Sequence, residues 1–292
     1  MADLAKDNVY VQRINVVIDH VCDHIEDSHK LEDLAEVAGF SPFHFHRIFK
    51  SVVGQTLGDF VQKVRLEKAA YWMSHGKQST LTEVAHRCGF TSSSDFSRAF
   101  RRHYGCAPRD YGGPAPDSLP PRLLELRATA DPGAYEVHVV RADPLHLAYV
   151  RVQNPMREGA LPEGLDQLMA WAEPLGLASG QLVGFSDQDP YITPPERYRY
   201  DFGLVIPPDF PIERGAPVQR RTLPGGTQAS LTYRGGMDAI LSSGDYLFCH
   251  WLPRSKYEPA DTPAMELYLE DPRTLNWETW AIEIRLPLRL CR

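Results

Sequence analysis

A twofold internal repeat constrains the first third of this chain more than any other feature. The segment LEDLAEVAGFSPFHFHRIFKSVVG, starting at Leu31, aligns with LTEVAHRCGFTSSSDFSRAFRRHYG, starting at Leu81. Leu34, Ala35, Gly39 and Phe40 match Val84, Ala85, Gly89 and Phe90 at an offset of fifty. Phe45, Arg47, Phe49 and Gly54 match Phe96, Arg98, Phe100 and Gly105 at fifty-one, so one residue is inserted just past a turn. Each copy has the layout of a helix-turn-helix. Small alanines (Ala35, Ala38; Ala85) let a second helix approach the first, and Gly39 or Gly89 accepts the backbone angles of a tight turn. Ser41-Pro42 is expected to cap the first copy's second helix, and Thr80 with Glu83 forms a capping box for the second copy. Phe40, Phe45 and Phe49, and their counterparts Phe90, Phe96 and Phe100, hold one face of each second helix. The opposite face is left free for a partner.

Between the copies, residues 56–75 read as one helix with a capping pair, Thr56 and Asp59, and an apolar stripe through Leu57, Val61, Val64 and Trp72. Such a strut is about 27 Å long, of the order of one turn of B-DNA, about 34 Å. Ile14, Ile18, Val21 and Ile25 stripe a further helix ahead of the first copy. Charge is distributed unevenly along the chain. The net charge is -7. Residues 41–109 carry 11 basic and 4 acidic side chains, whereas residues 113–292 carry 17 and 24. A basic head on an acidic body suits a chain that holds nucleic acid by the head alone.

Six prolines from Pro108 to Pro132, with Gly112 and Gly113, break the helical pattern and read as a linker. Beyond it, runs such as YEVHVV, LAYVRV and WAIEIRL signal strands. The expected architecture is an all-α tandem helix-turn-helix head over residues 8–111, with units at about 31–54 and 81–105. A linker over 112–130 and an α+β domain over 131–292 follow. The α+β half reads as two β-α-β-β units. The first has a strand over 135–152 with a bulge or bend, a helix over 164–175, and strands over 182–186 and 200–206. The second has a strand over 227–233, a helix over 237–252, and strands over 264–269 and 279–286. Paired into one antiparallel sheet with both helices on one side, the units leave the other side, or the cleft between halves, for a ligand.

Glu266, inside the apolar run AMELYL, points with Ala264 and Tyr268 away from Met265 and Leu267. If that face lines a pocket, a carboxylate among aromatics suits a lipophilic cation; otherwise it is a glutamate on a solvated sheet face. The five cysteines are widely spaced and lack a CxxC motif, and the histidine pairs find no completing ligand. Reduced thiols, no metal and no cofactor are therefore expected, in a cytoplasmic chain without a signal segment or membrane span.

Through GFSPFHFHRIFK and GF…FSRAFRRHYG…P, residues 10–111 resemble the paired helix-turn-helix domain of AraC/XylS-family transcription regulators. The resemblance implies that one chain, without dimerising, sets both recognition helices into successive major-groove segments of double-stranded DNA. By position it assigns base contacts to Phe43, His46 and Arg47 in the first unit and to Ser93, Ser94, Ser97 and Arg98 in the second, with phosphate contact an alternative for Arg47 and Arg98 and a core place one for Phe43. Serines discriminate bases weakly, so Arg98 carries most of the second unit's selectivity. Lys50, Arg101, Arg102 and Arg109 fit phosphate contacts.

Residues 134–287, through LAYVRVQNP, GLVIP, SLTYRGGMDAI, YLFCHWLPRSKYEPADTPAMELYLEDP and WAIEIRLPL, resemble the GyrI-like effector-binding domain of several drug-responsive regulators. That resemblance places a cationic or aromatic ligand on Glu266 and Tyr268, with Tyr233 and Trp251 as further candidates. The expected function is a ligand-modulated, DNA-binding transcriptional regulator and not an enzyme. Domain docking or contact with RNA polymerase is as open a coupling route as a conformational relay. Two alternatives stand beside it: a second domain that is a ligand-free interaction module, and one that hydrolyses small electrophiles through Glu266.

Overall fold

The computed structural model describes residues 2–76, 79–113, 135–213, 215–274 and 279–291. Most of the expected linker, 112–130, lies outside the described residues. The chain divides into two compact units, 1–113 and 114–292.

The first unit is all helical. Its helices are α1 (Ala2–Asp23), α2 (Leu31–Val37), α3 (Pro42–Val53), α4 (Leu57–His75), α5 (Leu81–Arg87) and α6 (Ser93–Tyr104). The repeat is visible in the backbone. Gly39 and Gly89, in the turns, have φ of 65° and 74°; Gly54 and Gly105, which end α3 and α6, have φ of 77° and 76°. Phe45 and Phe49 on α3, and Phe96 and Phe100 on α6, are fully buried. Ile14, Ile18 and Val21 of α1 pack with Leu34, Phe45, Phe49 and Phe60 in one core, while Ile25 lies just past the end of α1.

The capping expectations hold at α4 and α5. Thr56 accepts from the Asp59 amide at 3.2 Å, and Thr80 and Glu83 form a reciprocal capping box. They fail at α3. Ser41 makes no side-chain cap hydrogen bond; its hydroxyl pairs with His44 Nδ1 at 3.0 Å instead, leaving Pro42 to open the helix. In α6 the capping role falls to Ser92, which accepts from the Asp95 amide at 3.1 Å.

The second unit is an antiparallel sheet with strands β1 (His138–Ala142), β2 (Leu145–Gln153), β3 (Leu182–Phe185), β4 (Arg199–Val205), β5 (Gln219–Leu223), β6 (Gly226–Gly235), β7 (Tyr257–Pro259), β8 (Met265–Tyr268) and β9 (Trp280–Leu290). The order is β1-β6-β9-β8-β3-β4-β2-β5, with β7 paired to the end of β9. Its helices are α7 (Ala160–Ala172) and α8 (Met237–Asp245), the latter continued by a π-helical segment, Tyr246–Trp251.

The strand expected over 135–152 is broken at Asp143-Pro144, because proline cannot donate to a sheet ladder. The two pieces join opposite halves: β1 pairs with β6, and β2 with β5. The duplicated units therefore exchange their first short strands, which locks them into one sheet.

One face of the sheet carries Val150, Phe202, Leu231 and Ile282 and is covered by Leu165 and Leu168 of α7 and by Leu247 and Leu252 of the second helical stretch. The other face holds a smaller cluster, Leu147, Tyr149, Val183, Phe185 and Met265. Beside it lies a buried ion pair in which Arg151 Nε and Nη2 meet both carboxylate oxygens of Asp201 at 2.8 and 2.6 Å. Gly164 lets α7 approach the sheet, since a Cβ there would lie 2.3 Å from Val152 Cγ2.

Candidate functional sites

In the first unit the repeat turns the same helix face outward twice. Phe43 is 69% exposed, although it is apolar and shares α3 with the buried Phe45 and Phe49. His46, Arg47 and Lys50 are exposed beside it, and the Arg47 guanidinium lies 6.0 Å from the centre of the Phe43 ring. A flat apolar ring with a guanidinium over it can meet a thymine methyl and an acceptor-rich base edge together.

On α6, Ser94 and Arg98 are exposed, and Ser93 and Ser97 are half-buried. The Ser93 hydroxyl contacts Thr82 of α5 at 3.2 Å, so part of its hydrogen-bonding capacity serves the fold. Arg98 pairs with Asp95, whose carboxylate also accepts from Thr91 and Ser92. These donors hold the Asp95 carboxyl below its ordinary pKa, Ser92 contributing most. Arg98 is thus aimed along α6 by an exposed, solvent-screened partner. Lys50, Arg101, Arg102 and Arg109 are exposed. Arg102 donates to Gln62 of α4 at 2.9 Å, and Arg109 lies 3.6 Å from Asp110.

In the second unit, strand register brings together residues remote in sequence. Glu266 on β8 is opposite Gly184 on β3 and Ile284 on β9, and Gly184 is opposite Phe202 on β4. All lie on the helix-bearing face. Because α7 packs on β2 and β4, and α8 on β6, the central strands β3 and β8 sit between the ground covered by the two helices. Glu266 therefore lies on the helix-bearing face, on a strand between those that the two helices contact.

Tyr200 donates to Glu266 Oε2 at 2.5 Å, and its hydroxyl lies 2.9 Å from that of Tyr268. Tyr200 was not anticipated. It occupies the space that a side chain at Gly184 would fill: a Cβ there would lie 1.7 Å from the Tyr200 hydroxyl. Tyr233 on β6, Ile282 on β9 and Tyr268 on β8 form the next row. Tyr233 is 5% exposed, and its buried hydroxyl has no hydrogen-bond partner among the described residues.

Burial raises the Glu266 carboxyl to about 7, against the opposing hydrogen bond from Tyr200. Burial, reinforced by the Glu266 charge, also pushes the Tyr200, Tyr233 and Tyr268 hydroxyls up, so all three stay protonated. Among the described residues, no cationic side chain stabilises the ionised Glu266. The result is a half-buried carboxyl set beside tyrosine rings and a hydroxyl donor.

Trp251 packs against the same core as Tyr233 and Tyr268. It stacks on Tyr257 of β7, with ring centres 6.5 Å apart, and Tyr257 pairs with Leu290, six residues along β9 from the partner of Glu266. Trp171 meets Phe210 edge-on and packs against the core. Among the described residues no group of three or more His, Cys, Asp or Glu could hold a metal ion, and no helix is long and apolar enough to cross a membrane.

Residues 135–289 match the family described as GyrI-like small molecule binding domain, and residues 34–113 match a helix-turn-helix domain family. A probable transcriptional regulator, LumQ of Photobacterium leiognathi, is 36% identical over 107 residues, 36% of this chain and 43% of the relative. The transcriptional activator RhaS of Escherichia coli O139:H28 is 35% identical over 98 residues, 34% of this chain and 35% of the relative. The match thus spans less than half the length of either curated relative. A solved structure described as a hydrolase from Listeria innocua is 15% identical, covering 53% of this chain and 92% of that one, with a TM-score of 0.40. At that TM-score the likeness bears on neither fold nor chemistry. The first unit is a DNA-binding helix-turn-helix domain and the second a domain capable of binding small molecules. The chain belongs to the family of the GyrI-like small molecule binding domain, here fused behind an AraC/XylS-type helix-turn-helix domain.

Proposed function

We propose that this chain is a sequence-specific, DNA-binding transcriptional regulator whose second domain takes a small lipophilic cation. The observation that carries the ligand assignment is Glu266, a half-buried carboxyl with no basic partner among the described residues, beside Tyr200 and Tyr268 and near Tyr233. A cation with aromatic-compatible groups would supply the missing countercharge and lie against the ring faces. Phe43, His46 and Arg47 would read one DNA segment and Ser93, Ser94, Ser97 and Arg98 a second, with Lys50, Arg101, Arg102 and Arg109 near phosphates. The unpartnered Tyr233 hydroxyl and the Glu266 charge speak against a second domain that is only an interaction module, because a filled protein surface would neutralise or pair them.

The test is pH-dependent binding of an aryl quaternary ammonium, such as benzyltrimethylammonium, to the full chain. The cation binds the ionised carboxylate, so protonation competes with it. With Glu266 titrating near 7, affinity is expected to fall about tenfold from about pH 8 to about pH 6. Flat binding over that window would remove Glu266 as the anchor.

One observation also favours hydrolysis of small electrophiles. A carboxyl titrating near neutrality beside a tyrosine hydroxyl is suited to moving a proton. Turnover of reactive esters or isothiocyanates that vanishes in Glu266→Gln would establish it.

A further inference from the structure

The helix α4 joins the two reading units, yet a helix alone does not fix how the second unit is turned about its axis. Three segments far apart in sequence meet at one side chain midway along it, Arg65. Its Nε donates to the carbonyl of Ile25 at 3.2 Å and its Nη2 to the carbonyl of Asp27 at 2.7 Å. Both carbonyls lie just past the C-terminus of α1, where the helix dipole favours a cation. Main-chain carbonyls cannot swing aside as a carboxylate side chain can, so the fork of the guanidinium is pinned at two fixed points.

The turn of the second helix-turn-helix closes on the same place. A Cβ on Gly89 would lie 2.6 Å from the Ile25 carbonyl oxygen and 2.7 Å from Arg65 Nη2. Arg65, the tail of α1 and the second turn are therefore in contact with no spare room. The first turn is arranged differently. Arg13 of α1 donates to the Gly39 carbonyl at 3.2 Å and lies over the Phe40 ring, and a Cβ on Gly39 would meet nothing nearer than 3.7 Å.

We propose that Arg65 is a positioning residue that fixes the second reading unit against the first, and so sets the half-site spacing the pair accepts on DNA. The assignment rests on the two-unit reading of DNA proposed above. Each inserted base pair shifts a half-site by about 3.4 Å and turns it by about 35° around the duplex, a mismatch that a rigid pair rejects and a loosened pair tolerates.

The test selects duplexes from a randomised pool with the full-length wild-type chain, then rebuilds the best one with a base pair inserted or removed between its half-sites. The wild type is expected to lose about tenfold or more per change. Arg65→Lys, whose single ammonium cannot span both carbonyls, and Gly89→Ala, which drives a methyl group into the contact, are expected to lose at most about threefold. Gly39→Ala carries a similar positive-φ strain without the clash and is expected to keep the wild-type profile. Circular dichroism and Tm establish that the variants are folded. A merely structural role would weaken binding to every duplex by one factor and leave the spacing ratio intact. An unchanged ratio in either folded variant, or failure of both to fold, overturns the assignment. A wild type indifferent to spacing instead removes the two-unit reading, and the role of Arg65 with it.

Discussion

Glu266→Gln is expected to weaken binding of an aryl quaternary ammonium by about thirtyfold or more and, above neutral pH, to stabilise the second domain. The two effects have one cause. In the folded chain the carboxyl is half-buried, and among the described residues no cation compensates it, so its ionised form is disfavoured and its pKa rises from 4.5 to about 7. Below about pH 4.5 the group is protonated whether the chain is folded or not, and it contributes no pH-dependent penalty. Between about 4.5 and 7 the unfolded chain ionises first, so the penalty grows as pH rises; above about 7 it is complete, at about 2–4 kcal/mol. A bound cation turns this penalty into affinity, because the charge it meets is already partly stripped of water. Glutamine keeps the shape and removes the charge. Urea unfolding across this window should show the wild type losing stability and Glu266→Gln staying nearly level, while titration calorimetry follows the cation. Parallel stability curves, or retained affinity, would count against the account.

Replacing Gly184 with alanine is expected to destabilise the second domain by about 2–4 kcal/mol and to detach Tyr200 from Glu266. The new methyl group would stand 1.7 Å from the Tyr200 hydroxyl and 2.5 Å from its Cζ, in the middle of a sheet whose Phe202 and Glu266 neighbours flank the position. Tyr200 must then leave, and Glu266 loses its donor. A double-mutant cycle checks this. Tyr200→Phe removes the group nearest the clash, so the Gly184→Ala/Tyr200→Phe pair should cost clearly less than the sum of the single changes. Additive costs would mean that the two residues do not compete for one space.

The helical head was largely legible because its determinants are local: glycines at turn positions, Thr80 with Glu83 three residues on, and phenylalanines on one helix face. Ser41 misled because Pro42 can open a helix without a side-chain cap, and His44 then takes the serine hydroxyl. The parity of Glu266 with Tyr268 was also legible, being a matter of alternation within one strand. Tyr200 was not, because it reaches Glu266 only through the order β8-β3-β4, which no local pattern in RYDFGLV encodes. The one available signal was Gly184 inside the strand LVGF, since a glycine there marks close approach by something else. Strands β5 and β7 escaped notice for a similar reason. QRRTL is rich in charge and YEP is three residues long, and both are strands because of what they pair with.

Whether α3 and α6 are two unequal readers of one DNA site is tested most directly by sequence selection from randomised duplexes with the wild type, Arg47→Ala and Arg98→Ala. The wild type is expected to select a bipartite motif. Arg47→Ala should relax the base preference in one half, and Arg98→Ala should nearly erase it in the other, where Ser94 and Ser97 discriminate weakly. Equal losses of affinity in both variants, with the motif unchanged, would make both arginines phosphate contacts and contradict the assignment.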